Sequence, residues 1–196
     1  MLKRYTLFGL VKLGLSFVYT KLFYHNQRLI RLPFDVRNKR NIHLGYGTTT
    51  GVGCRIEAFP NGKNRIVLQF GNNVQMNDYV HITASERVQI GNNVLFASKI
   101  YISDCSHGNY AGDGNDSHPS TIPSERQLFS KPVLIEDNVW LGEFVTVLPG
   151  VTIGTGTIVG ANSVVSRSLP AYVIAVGSPA KPIKKFNFQT SQWEKI

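Results

Sequence analysis

The chain has 196 residues, 42% of them hydrophobic and 17% charged, which suits one globular domain and excludes a disordered polymer. Its formal net charge of +9 points to an anionic partner, but no zinc-finger spacing or RNA-binding aromatic motif accompanies it, which sets nucleic acid aside. Two cysteines, Cys54 and Cys105, cannot make a disulfide framework and suggest a reducing, cytoplasmic setting.

Residues 5–24, YTLFGLVKLGLSFVYTKLFY, carry a helical pattern. On a helical wheel Leu7, Phe8, Val11, Leu15, Val18, Tyr19 and Leu22 share one arc, with Lys12, Ser16 and Thr20 outside it. Lys3, Arg4, Lys21, Arg28 and Arg31 add positive charge along the segment. Two settings fit: packing on the rest of the chain or on a neighbouring subunit, and peripheral contact with an anionic inner membrane face. Lys12 interrupts the apolar run and no A-x-A-like site follows, which argues against a signal peptide. Two lysines within the segment argue against a spanning helix. Pro33 to Arg40 reads as a linker, so residues 1–40 form a first unit.

The second unit, 41–170, reads in sixes. Between Ile135 and Pro170 every sixth residue is aliphatic: Ile135, Leu141, Val147, Ile153, Val159 and Val165. The fifth position of each hexad is Val139, Val145, Val151, Thr157, Ser163 and Leu169, all small or apolar. Gly142, Gly154 and Gly160 fill the second position, where glycine is expected to supply an unusual corner conformation. A period of six fits neither an α-helix nor an isolated strand. It fits short strands joined by turns and stacked so that one residue per strand points inward, which is a parallel β-helix. The ladder begins imperfectly at Leu44, Thr50 and Ile56, with Cys54 as a small corner residue, and Phe59–Arg65 reads as a surface turn. It resumes at Phe70, Met76 and Ile82, slips by two, and continues at Ile90, Phe96 and Ile102. Asn72-Asn73 and Asn92-Asn93 occupy equivalent corners that suit left-handed dihedrals.

Residues 104–131, DCSHGNYAGDGNDSHPSTIPSERQLFSK, interrupt the ladder, and a long loop inserted in a rigid stack is expected to form a site. His107 on that loop is the candidate general base, with His118 a second histidine of the same kind. A Cys105–His107 dyad is conceivable, although two residues apart on a loop the side chains need not face each other. His25, His43 and His81 read as structural or surface residues. Residues 171–196 form a third unit that leaves the stack and ends in a polar tail containing Trp193. Its Lys181, Lys184 and Lys185 could meet a phosphate as point charges, or be a solvated face.

The stretch IEDNVWLGEFVTVLPGVTIGTGTIVGANSVVSRSLPAYVIAVGSPAKPIKKF closely resembles the end of the hexapeptide-repeat O-acetyltransferases, and the resemblance covers residues 42–186. The loop DCSHGNY, the SKPV entry at Ser130–Val133 and the basic apolar N-terminus are most similar to bacterial enzymes that acetylate lipopolysaccharide O-antigen or capsule. The resemblance implies an all-β, left-handed parallel β-helix, a homotrimer with active sites between subunits, and acetyl-CoA as co-substrate without a metal. It implies His107 as base, with Trp140 near the pantetheine arm and the backbone of Gly142 and Glu143 near the thioester carbonyl. Ala161, Ser166 and Arg167 match further cofactor contacts, and Lys181 and Lys184 match basic positions near the nucleotide phosphates. Asn77 and Asp104 are the substrate-side candidates. Relatives often carry Asp-His-x-His-Gly where this chain has Cys105 in place of the first histidine. The implied reaction is direct O-acetylation of a polysaccharide sugar, with N-acetylation of a nucleotide-linked amino sugar as the alternative. A metal-dependent β-helix enzyme would need three convergent histidines, and a non-catalytic scaffold would have no use for the long histidine-bearing loop.

Overall fold

The aliphatic sixth residues turn inward at successive short strands, and stacking those strands builds three flat parallel sheets around one core. The computed structural model describes residues 6–60, 62 and 65–196. Lys3 and Arg4, and Asn61, Lys63 and Asn64 of the expected turn, lie outside the described residues. The first face stacks Phe34–Arg37, Cys54–Ala58, His81–Ala84, Tyr101–Ser103, Thr146–Val147 and Val164–Val165. The second stacks Ile42–His43, Leu68–Phe70, Val88–Ile90, Val133–Ile135 and Thr152–Ile153. The third stacks Gln75–Met76, Leu95–Phe96, Trp140–Leu141, Ile158–Val159 and Val173–Val176.

The expected ladder is the core. Ile135, Leu141, Val147, Ile153, Val159 and Val165 are all 0% exposed, and the fifth positions are also buried. In register, Ile56, Ile82, Ile102, Val147 and Val165 line the inside of the first face. Met76, Phe96, Leu141, Val159 and Ala175 line the third. Each rung buries its apolar residue only against the rungs above and below, so the stack is stable as a whole and not coil by coil.

Glycine serves the corners for a different reason than expected. A Cβ on Gly154 would lie 2.4 Å from the Ala171 backbone nitrogen, and one on Gly142 would lie 2.7 Å from that of Ala161. Close backbone approach therefore excludes a side chain there. The left-handed dihedrals fall two residues later, at Asn138, Phe144, Gly150, Gly156 and Asn162. The expectation for the asparagine corners holds at Asn73 and Asn93, both with positive φ.

Both ends differ from the sequence reading. Phe34–Arg37, placed in a linker, is the first rung of the first face and pairs in parallel with Cys54–Ala58. Its Phe-Asp-Val-Arg alternation lets Phe34 and Val36 pack on the core. At the other end Val173–Val176 extends the third face by one rung, beyond residue 170. The chain then doubles back through Lys181–Asn187 and Gln192–Lys195, and Trp193 packs against Phe186 with ring centroids 5.2 Å apart. The expected polar tail is thus an ordered antiparallel hairpin.

Helix α1 (Leu7–Phe23) is capped by Thr6, whose hydroxyl accepts from the Gly9 N–H. It is mounted on the β-helix through its polar side. Ser16 and Thr20 are its buried residues, while Leu7, Phe8, Val11, Leu15, Val18 and Leu22 face outward.

Candidate active site

The chain leaves the first face at Ser103 and returns to the second at Val133, so residues 104–131 project from a single corner. The two ends of the projection are tied: the Lys131 N–H donates to the Asp104 carbonyl at 2.8 Å. Above that tie, Cys105–His107 and Leu128–Ser130 form an antiparallel stem, with His107 opposite Leu128. His107 therefore stands on a short hairpin and not on an irregular loop.

The head of the projection packs on itself. The Tyr110 hydroxyl donates to the His107 carbonyl and accepts from the Arg126 guanidinium at 2.7 Å. Arg126 also donates to the carbonyls of Thr121 and Pro119, at 3.0 and 3.1 Å. Gly108 has φ +113°, and a Cβ there would lie within 2.8 Å of Tyr110 and Ser117 side-chain atoms, so only glycine follows His107 without strain. The His107 side chain is exposed and makes no hydrogen bond among the described residues. His118 is also exposed, but its Nδ1 accepts from the Ser120 N–H at 3.2 Å.

Asp104, expected to face a substrate, is 0% exposed. Its carboxylate accepts from the backbone N–H groups of Ser85, Glu86 and Arg87 at 2.8, 2.7 and 2.6 Å. These three amides form the corner of the preceding coil, where the ladder slips by two residues. Asp104 thus clamps the base of the projection and, fully buried, presents no surface to an acceptor. Asn77 sits at the opposite corner, between the third and first faces, in a polar recess with Gln75 and Asp78. Within one chain it does not share an edge with His107.

Both cysteines are poor nucleophiles. Cys54 is buried, its thiol donates to the Asn77 carbonyl at 3.0 Å, and desolvation pushes its pKa up to about 11. Burial likewise raises that of Cys105, with the negative charges of Asp104 and Glu57 adding to the effect over the opposing hydrogen bond with Ser103. Burial works against the thiolate form of both, which counts against a Cys105–His107 dyad.

A polar cluster on the first face escaped the sequence reading. Glu57, 6% exposed, accepts from His81 at 2.8 Å, Thr83 at 2.9 Å and Arg37 at 3.2 Å, with Arg55 3.5 Å away. Burial alone would raise the Glu57 pKa, but the hydrogen bonds from His81 and Thr83 and the Arg55 charge outweigh it and hold it below the ordinary glutamate range. The available signal was Arg55-x-Glu57 above His81-x-Thr83, which strand register stacks one on the other. Both ring nitrogens of His81 lie within 3.4 Å of the Arg55 guanidinium. His81 therefore lacks an open nitrogen, whereas His107 has both.

The remaining candidates fall on two edges. Trp140 stands on the third face, 46% exposed, with Gly142, Glu143 and Ala161 at the corner that follows it. The Gly142 N–H donates to the Val159 carbonyl at 2.8 Å, so it is committed to the stack. The adjacent Glu143 N–H has no backbone acceptor among the described residues, although the Glu143 carbonyl accepts from Asn162 at 2.8 Å. Ser166 and Arg167 are exposed on the same edge as the projection, two coils further on. Lys181 and Lys184 lie on the strand that pairs with Val173–Val176. Among the described residues no three His, Cys, Asp or Glu side chains gather as a metal site.

Comparison with known proteins accounts for this architecture. The family model described as "Bacterial transferase hexapeptide (six repeats)" matches residues 132–167. The chain is 48% identical over 193 residues to WbbJ of Escherichia coli K12, covering 98% of this chain and 96% of that one; WbbJ is provisionally named a lipopolysaccharide biosynthesis O-acetyl transferase. It is 29% identical over 158 residues to the galactoside O-acetyltransferase of the same organism, covering 79% of this chain and 72% of that one. A crystal structure of AntD, an N-acyltransferase from Bacillus cereus in complex with dTDP and 3-hydroxybutyryl-CoA, superposes with a TM-score of 0.67 at 22% identity, covering 84% and 82% of the two chains; this likeness is one of fold. The stack is a left-handed parallel β-helix, and the chain belongs to the hexapeptide-repeat acetyltransferase family.

Proposed function

We propose that the chain transfers an acetyl group from acetyl-CoA to a hydroxyl of a surface-polysaccharide sugar, with His107 as general base. The observation that carries this reading is the His107 imidazole, exposed, without a protein partner among the described residues, and held on a stem tied at its base. Such a group can take a proton from an acceptor without breaking an internal contact.

Acetyl-CoA supplies the acetyl group as an activated thioester. His107 takes the proton of the acceptor hydroxyl as that oxygen bonds to the acyl carbon. The Glu143 N–H donates to the carbonyl oxygen as it gains charge; its neighbour Gly142 is not available for this. The carbon–sulfur bond then breaks, and the sulfur leaves as thiolate or takes the proton from His107. Trp140 and Ala161 offer a surface to the pantetheine arm, while Ser166, Arg167, Lys181 and Lys184 offer hydrogen bonds and positive charge to the nucleotide end. Because these residues occupy two edges of one prism, the proposal includes a neighbouring copy, with a homotrimer as the assembly.

The hydroxyl acceptor is supported by the names of WbbJ and the galactoside enzyme. Transfer to the amine of a nucleotide-linked sugar is the rival, since AntD is an N-acyltransferase of the same fold. The test is acetyl transfer by purified protein to matched sugar hydroxyls and amines, read by mass spectrometry. His107→Ala is expected to stay folded and lose about 10²–10⁴-fold in turnover. An alanine variant with wild-type turnover overturns the base, and acetylation confined to amines overturns the acceptor class.

A further inference from the structure

Helix α1 is mounted with its polar side inward. The Ser16 hydroxyl accepts from the Leu32 N–H at 3.1 Å, and the Thr20 hydroxyl accepts from the Ile30 N–H at 2.8 Å. The same hydroxyls donate back to their own helix, at the carbonyls of Lys12 and Ser16. These bonds fix the rotation of the helix about its axis. Turning the apolar arc inward would strip the buried Ile30 amide and the part-buried Leu32 amide of their acceptors.

The consequence is an apolar ridge pointing away from the β-helix. Leu7 is 80% exposed, Phe8 68%, Leu15 61% and Leu22 69%, with Val11 and Val18 between them. At 100° per residue these six side chains span an arc of about 100°, opposite Ser16 and Thr20. Lys12 borders the arc on one side and Lys21 on the other. Each ammonium rests over a helix aromatic ring, Lys12 4.4 Å from Phe8 and Lys21 5.4 Å from Phe17. The sequence of this segment carries charge of one sign: Lys3, Arg4, Lys12, Lys21, Arg28 and Arg31 precede Asp35, the first acidic residue of the chain. A second ridge would bring the same bordering lysines, Lys12 and Lys21, and so a poor complement in charge.

We propose that the outward ridge of α1 docks on the surface of an anionic lipid bilayer. The helix lies in the interface, with its leucines and valines among the upper acyl chains and its lysines among the headgroups. It does not cross: no described helix is long and apolar enough to do so. The inference is independent of the acetyl-transfer reading, because it uses none of those residues.

The test is cosedimentation of the full chain with vesicles of phosphatidylcholine alone and of phosphatidylcholine with phosphatidylglycerol. The chain is expected to pellet with the anionic vesicles and to be released as salt rises. Val11→Glu/Leu15→Glu is expected to keep the parental melting temperature, since both side chains are exposed, and to weaken binding at least tenfold. Lys12→Glu/Lys21→Glu is expected to lose the preference for anionic lipid. The proposal is overturned if the full chain stays in the supernatant, or binds both vesicles equally. It is also overturned if Val11→Glu/Leu15→Glu binds as the parent does, or if that variant changes the molar mass in solution, which would make the ridge a subunit contact.

Discussion

Glu57 is a carboxylate with little solvent and several donors, and its protonation is coupled to folding. Its pKa in the fold lies below its unfolded value, because His81, Thr83 and Arg55 stabilise the charged form more than burial penalises it. The stabilisation is therefore fully present above the unfolded pKa and is lost as pH falls through the folded one. Glu57→Gln is expected to destabilise the fold by about 1–3 kcal/mol at pH 7, with the difference from the parent shrinking as pH drops below the ordinary glutamate range. Urea unfolding at pH 7 and pH 3.5 measures this; an equal difference at both pH values contradicts it. The residues around Glu57 show why such a cluster is hard to see in a sequence. Glu57 and His81 are 24 residues apart and meet only because strand register stacks one coil on the next. Asp104 is a similar case. The resemblance made it a substrate-side candidate, yet its three partners are backbone amides, which carry no sequence signal at all.

The hexad is the unit at which sequence and structure agree best, because one inward residue per strand is enforced by burial. It also separates two uses of glycine. At Gly154 the obstacle is the Ala171 and Pro170 backbone, which cannot yield. At Gly150 the obstacle is the flexible Lys131 side chain 3.3 Å away, and the requirement is a positive φ, which asparagine tolerates. Gly154→Ala is expected to cost about 1–3 kcal/mol or more, and Gly150→Asn about 1 kcal/mol or less. Thermal unfolding of the pair checks the order; equal losses would show that one mechanism serves both corners. The same scale explains what was misread. The six-residue count misses Phe34–Arg37, where a lone period-2 strand starts the first face. It also cannot say which side of α1 is buried, because two hydroxyl contacts decide the mounting against the apolar pattern. The places of the candidate residues on the repeat and on the projection were legible, as with Trp140 and His107. That the Gly142 N–H is committed to the Val159 carbonyl while that of Glu143 has no backbone acceptor among the described residues was not legible, because backbone amides carry no sequence signal.

At the scale of the molecule, the placement of the candidate residues constrains how many chains make one site. His107 rises from the edge between the first and second faces, whereas Trp140, Glu143 and Ala161 occupy the third face and the edge beyond it. A rigid prism cannot bring these edges together, since packed interiors do not deform to that extent. The proposed transfer therefore pairs His107 of one copy with the donor side of another. Subunit mixing tests this directly. Chains carrying His107→Ala lack the base, and chains carrying Trp140→Ala/Ala161→Glu keep the base but have a blocked donor side; both changes lie at exposed positions, so folding is spared. Each variant alone is expected to be nearly inactive. In a closed ring where every site joins two chains, random mixing in equal amounts makes about one quarter of the sites wild type at both positions. Mixed trimers purified on two tags hold two chains of one kind and one of the other, so about one site in three is wild type and activity is expected to recover to about that fraction. Activity no greater than the sum of the two variants would mean that base and donor side belong to one chain, and the intersubunit site would have to be abandoned.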